Sequence, residues 1–145
     1  MNLESEILNH DPLHSPSSQQ EKIDALEVSY KHVLGFVPDR IHARISLGIQ
    51  TAPEMTEDIE HLRAQLLEPE ALDLKTSQLM AFGMLLMNLS QAAENHAVAA
   101  LRAGATVQEL QAVAGIAFMF RGIGAINLSG EAIAGALKKM AMLKP

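Results

Sequence analysis

Signals that start or end an α-helix recur along the whole chain, and they leave only short segments between them. Each signal is a side chain that caps free backbone N–H groups, a proline suited to a first helical turn, or a glycine that ends a helix. The clearest signals are Ser18 with Glu21, Gly35 with Pro38, Pro53, Thr106 with Glu109, and Gly122 with Gly124. Between them apolar residues recur at helical intervals, and no stretch alternates as a strand would.

These helix start and stop signals predict an all-α fold, a single-domain helical bundle of about six to seven helices. We expect helices over 18–33, 39–50, 53–67, 75–88, 90–104, 106–121 and 125–143, and a flexible N-terminal arm over residues 1–17. The helical domain would then span residues 18–145. Hydrophobic residues make up 48% of the chain but aromatic residues only 3%, which favours closely packed helices over strands.

Charge and cysteine content exclude several classes of function. The formal net charge of −6 argues against nucleic acid and anionic membranes as partners, since both attract cationic surfaces. The absence of cysteine excludes disulfides, thiolate nucleophiles and cysteine-based metal sites. The acidic, polar N-terminus does not resemble a signal peptide, and Leu79–Met87 is too short to span a membrane. We therefore expect a cytoplasmic protein.

A histidine interrupts an alanine-rich stretch, NLSQAAENHAVAALRAGATVQEL, over residues 88–110. Ala92, His96 and Ala100 share one face of the predicted helix, because residues four apart lie side by side. Small neighbours leave space around the imidazole for another helix or for a small ligand. Two interpretations follow: a core histidine satisfied by one hydrogen bond, or a histidine that lines a pocket.

The segment around this histidine resembles the carboxymuconolactone decarboxylase and alkylhydroperoxidase D-like superfamily. The resemblance lies in a histidine on a helix (His96), an alanine-rich turn, the letters AGAT at 103–106, and Glu109 opening the next helix. The stretches HVLGFVPDRIHA (32–43) and LDLKTSQLMAFGMLL (72–86) extend it, so that it covers roughly residues 30–135. It implies a helical fold and self-assembly into a homotrimer or homohexamer.

The peroxidase branch of this superfamily uses two cysteines and a glutamate in addition to the histidine. The cysteine positions correspond here to Leu89 and Ala92, and the glutamate position to Ser77 or Gln78. None of these residues forms a thiolate or accepts a proton as a carboxylate does. A peroxidase mechanism based on paired cysteines is therefore excluded for this chain.

The decarboxylase branch, which the resemblance implies acts on a carboxylated lactone, needs no cysteine pair and no cofactor. His96 could protonate the carbanion that remains when carbon dioxide leaves, since an imidazole titrates near neutral pH. Arg121 or Arg102 could hold a carboxylate, although Arg102 also suits a helix C-terminus at the surface. We name His96 as the catalytic candidate and Arg121, His42 and Gln78 as candidates for binding a small-molecule substrate.

The alternative function is a non-catalytic protein of the same family that binds a small molecule or acts as a scaffold, accessory to antioxidant defence. We predict no metal site, since the only spaced histidine pair, His10 and His14, lies in the expected arm. Four methionines are predicted to fill the core: Met80, Met84, Met87 and Met119.

Overall fold

The computed structural model of the chain describes residues 16–144, and in this part it contains seven α-helices and no strand. The all-α prediction is confirmed. The helices are α1 (Pro16–Leu34), α2 (Asp39–Thr51), α3 (Pro53–Leu67), α4 (Leu74–Met87), α5 (Ala93–Arg102), α6 (Val107–Arg121) and α7 (Ile123–Met142). The first fifteen residues of the expected arm lie outside the described residues.

Several helix boundaries follow from the predicted local chemistry. Thr106 Oγ1 accepts a hydrogen bond from the backbone N–H of Glu109, and the Glu109 carboxylate accepts one from the N–H of Thr106, which completes the capping box that starts α6. Asp73 caps α4 in a related way through the N–H of Thr76. Gly35 ends α1 with φ +82°, a left-handed conformation in which glycine is unstrained.

Three helices begin two or three residues away from their predicted starts, and one of them is α7, which begins at Ile123 instead of residue 125. The first helix starts at Pro16 instead of Ser18, so the serine lies inside the first turn. The fifth helix starts at Ala93 instead of at Ser90. Leu89 takes the left-handed conformation with φ 51°, and the Ser90 hydroxyl accepts from the N–H of Ala92, so the chain makes a turn before the helix can start.

Two layers of helices meet at α5. Helices α4 to α7 pack closely on one another. Helices α1 to α3 form the second group, in which α1 contacts α5 and α3 contacts α4. Alanines make this central position possible, since Ala93, Ala97 and Ala100 are fully buried and let the neighbouring helices approach. The core around them includes the fully buried Phe82 and Leu110.

The four methionines expected in the core lie at the surface, so that prediction was wrong. Met80, Met84 and Met87 project from α4 into an apolar groove whose opposite wall is α6, and Met119 is 76% exposed. The α4–α6 groove is lined by Met80, Met84, Met87, Val113 and Ile116. Phe120, four residues after Ile116 on α6, is also exposed. Methionine periodicity alone could not separate a face buried within the chain from an exposed apolar one. Among residues 16–144, no helix is long and apolar enough to cross a membrane.

Candidate functional site

The candidate site is built around a hydrogen bond between α5 and α4. His96 Nδ1 lies 2.8 Å from Oε1 of Gln78, a side chain that is only 1% exposed. With the amide oxygen as acceptor, Nδ1 carries the hydrogen and Nε2 keeps its lone pair. Gln78 therefore occupies the position beside the histidine, whereas Ser77 donates to the carbonyl of Leu67 at the end of α3.

His96 lines a cavity of about 160 Å³ that lies between the two layers of helices. An apolar cavity of about this size accommodates a benzene molecule in another protein. The aliphatic part of the wall comes from α1, α2 and the end of α3, and the polar part includes two arginines, a tyrosine and two amides. The aliphatic lining residues are Val33, Leu34, Ile41 and Leu67, and the polar ones include Tyr30, Arg44, Arg63, Gln78, Asn95 and His96.

A charged network closes the side of the cavity formed by α1, α2 and α3. The Tyr30 hydroxyl donates to Glu60 Oε2 at 2.7 Å, and it accepts from Arg44 Nη2 at 3.0 Å and Arg63 Nε at 2.5 Å. Arg44 Nη1 forms an ion pair with Glu60 Oε1 at 2.5 Å, without the geometry of a directed hydrogen bond. The Arg63 guanidinium also lies 3.7 Å from the centre of the Tyr30 ring. The network holds both guanidinium groups at the cavity wall.

The surroundings of His96 favour its neutral form. Burial, and to a smaller extent the positive charge of Arg63, lower the pKa of His96 from 6.5 to about 4. At neutral pH the ring is therefore a base with an available lone pair, and it becomes an acid only after it has taken up a proton.

This low pKa makes folding sensitive to acid. The unfolded chain binds a proton at His96 below pH 6.5, whereas the folded chain does so only near pH 4. Stability from this group is fully present above 6.5 and is lost as the pH falls towards 4, by about 2 kcal/mol at pH 5. Urea unfolding at pH 7 and pH 5 should show a larger loss for the natural chain than for His96→Gln; equal losses would contradict the pKa.

The other two sequence candidates lie away from this cavity. Arg121 is the last residue of α6, is exposed, and is not among the lining residues. His42 is exposed on α2, where its Nδ1 lies 2.5 Å from the Glu27 carboxylate. Arg102 donates to the carbonyl of Val33 and so supports the C-terminus of α1. The structure thus brings together His96 and Gln78, and the arginines that line their cavity are Arg44 and Arg63 instead of Arg121.

Sequence reasoning missed four residues of the site: Tyr30, Arg44, Glu60 and Arg63. Two signals were available. The only tyrosine of the chain falls in a buried apolar stripe where its hydroxyl requires a partner. The pair Glu60 and Arg63 has the spacing of neighbours on one helix face. Neither signal places these side chains beside His96, since that depends on how α1, α2 and α3 pack on α5.

The described residues contain no group of three or more histidine, aspartate or glutamate side chains arranged to hold a metal ion. The histidine pair considered for metal binding, His10 and His14, lies outside the described part of the chain.

Comparisons with known proteins agree with this architecture. The model of the carboxymuconolactone decarboxylase family matches residues 53–135, which is more than half of the chain and includes His96. A crystal structure of a candidate carboxymuconolactone decarboxylase from Burkholderia xenovorans LB400 has the same fold, with a TM-score of 0.70 and 22% identity, over 88% of this chain and 99% of that one. No curated protein matches the sequence. The chain belongs to the carboxymuconolactone decarboxylase family.

Proposed function

We propose that the protein is a cofactor-free enzyme that moves a proton on a small carboxylated substrate, such as a lactone that bears a carboxylate. The observation that supports this proposal most strongly is the position of His96, on the wall of a cavity that also presents two guanidinium groups. The guanidinium groups suit a carboxylate, and the aliphatic walls suit the carbon framework.

In the proposed reaction His96 acts first as a base. Nε2 removes a proton from a carbon next to the lactone carbonyl, and the electron pair moves onto the carbonyl oxygen to give an enolate. The imidazolium then returns a proton to carbon. In a decarboxylation the carbon–carboxylate bond breaks and its electron pair moves into the same carbonyl system. The ring, which has first taken up a proton from water at Nε2, delivers the proton that replaces carbon dioxide. Gln78 fixes the tautomer in both cases.

Exchange with heavy water tests this assignment. Carboxylated lactones incubated in D₂O should gain deuterium at carbon, as seen by NMR, and release of carbon dioxide would identify decarboxylation. Arg63→Gln should weaken substrate use at least about tenfold, because it removes a charge-assisted contact to the carboxylate. Arg121→Gln is the matched variant and should leave the reaction within about twofold of the natural chain. A larger loss of activity in Arg121→Gln would indicate that the carboxylate binds at the end of α6 instead.

The hydrogen bond between His96 and Gln78 also favours a second function. His96 is partly buried and has a partner in Gln78, as expected for a histidine with a structural role. A protein of this kind would bind a small carboxylate in the cavity without turnover. Deuterium exchange separates the two functions. Ligand binding without exchange would support only the second.

We further propose that copies of the chain assemble into a homotrimer or homohexamer through exposed apolar faces. Besides the α4–α6 groove, α3 carries an exposed stripe of four apolar residues at alternating spacings of four and three, which is the pattern of a helix–helix seam. This α3 stripe consists of Met55, Ile59, Leu62 and Leu66, of which Leu66 is 67% exposed. Exposed apolar residues that lie next to one another are typical of interaction sites.

Sedimentation velocity tests the assembly. Met84→Asp places a charge in the α4–α6 groove and should shift the population towards monomer, because a buried unpaired charge is costly. Val28→Asp, at an exposed apolar residue on α1, is the matched variant and should leave the distribution unchanged. A natural chain that sediments as a monomer at all concentrations would contradict the proposal.

A further inference from the structure

The cavity wall contains two arginines, but the buried carboxylate behind them offsets one of their charges. We infer that the site selects ligands with a single negative charge, and that Glu60 sets this limit. The inference rests on the proposed binding of a small carboxylate in the His96 cavity, and it names the charge of that ligand.

The charge count follows from the contacts. Glu60 is 4% exposed and touches both arginines, with Oε1 2.5 Å from Arg44 Nη1 and Oε2 3.3 Å from Arg63 Nε. Tyr30 contributes no charge, because burial and its hydrogen bond to Glu60 raise the pKa of its hydroxyl. His96 is neutral at neutral pH. Two guanidinium groups and one carboxylate leave one positive charge on the inner wall.

The geometry also shows which donors remain for a ligand. The contacts of Arg63 to Tyr30 and Glu60 both use Nε, and its two terminal nitrogens have no hydrogen-bonding partner within residues 16–144. Arg44 Nη1 forms the ion pair with Glu60, and Arg44 Nη2 donates to the Tyr30 hydroxyl. The terminal nitrogens of Arg63 therefore offer one planar pair of donors, which matches one carboxylate.

Another carboxylate, Glu68, lines the cavity where the chain leaves α3, and it is exposed to solvent. Water screens its charge far more than that of Glu60. The Glu68 carboxylate is nevertheless negative, so it also repels the second carboxylate of a doubly charged ligand.

Three ligands of nearly equal shape separate charge from size: glutaramide, glutaramate and glutarate, which carry zero, one and two negative charges at pH 8. Calorimetric titration of the full-length protein should rank glutaramate as the tightest of the three. Preference of the natural chain for glutarate would overturn the inference.

Two variants in the Tyr30–Glu60 network shift the charge in opposite directions. Glu60→Gln keeps the shape of the side chain and adds one net positive charge, so it should raise the glutarate-to-glutaramate affinity ratio at least about tenfold. Arg44→Gln removes one positive charge and should weaken glutaramate at least about tenfold while glutaramide changes within about twofold. Glu68→Gln makes the same chemical change at the exposed rim and should shift the ratio by much less.

The outcomes are distinct. A folded Glu60→Gln protein with the natural ratio would overturn the inference, and so would a Glu68→Gln shift as large as that at Glu60. If Glu60→Gln does not fold, as judged by circular dichroism, the ranking in the natural chain and the response of Arg44→Gln decide the matter. Binding of all three ligands without an order by charge would remove only the charge selection, whereas binding of none would remove the proposed carboxylate site itself.

Discussion

His96→Gln is expected to reduce turnover of a carboxylated lactone at least about 100-fold while ligand affinity stays within a few-fold of the natural value. General acid–base catalysis by one side chain contributes about 10²–10⁴-fold, and glutamine has no group that accepts and returns a proton. The arginines that would hold the carboxylate are unchanged in this variant. Steady-state rates and calorimetric affinities, measured on the same preparation, give the two quantities.

His42→Gln is the matched control for this result. It makes the same substitution at an exposed histidine that contacts Glu27 and lies outside the cavity lining. Turnover by this variant should equal that of the natural chain. If His96→Gln also turned over at the natural rate, the imidazole would not carry the proton, and the binding function would be the one to retain.

Phe82→Ala is expected to lower the free energy of unfolding by about 3–5 kcal/mol. Phe82 has no exposed surface, and truncation leaves a cavity in the core where α4 packs against its neighbours. A loss of this size is a large fraction of the stability of an ordinary domain, which is about 5–15 kcal/mol. Urea unfolding followed by far-UV circular dichroism gives the value, since the chain has no tryptophan.

Phe120→Ala makes the same substitution where the ring is 75% exposed. In the monomer it should change the unfolding free energy by no more than about 0.5 kcal/mol. At higher protein concentration the loss should grow if the ring becomes buried between copies, because association adds to stability by mass action. Equal losses for the two variants under dilute conditions would contradict the packing described here.

Most of the fold was predictable because its boundaries depend on local chemistry. Capping by Thr106, the proline at the start of α3 and the left-handed Gly35 act within a few residues of chain, so the sequence displays them directly. The start of α5 was missed because Leu89 adopts a left-handed conformation that leucine rarely takes.

The candidate site was less predictable because it depends on distant segments. His96 and Gln78 were identified through the motif and its spacing, and they do meet. The guanidinium groups come from α2 and α3, which reach the histidine only through packing between layers. Arg121 was predicted to bind the substrate because it follows the motif in sequence. It is instead the last residue of α6, where it is exposed.

The alanine packing of α5 constrains how this scaffold can diversify. Enlarging Ala93, Ala97 or Ala100 would overpack the core at a cost of about 1–3 kcal/mol, so the helix that carries the imidazole has little freedom to change. Room for a bulkier or slimmer molecule must instead come from the aliphatic side chains opposite, such as Val33 and Ile41. Relatives that handle different compounds should therefore differ most on the first two helices and keep the alanine face constant.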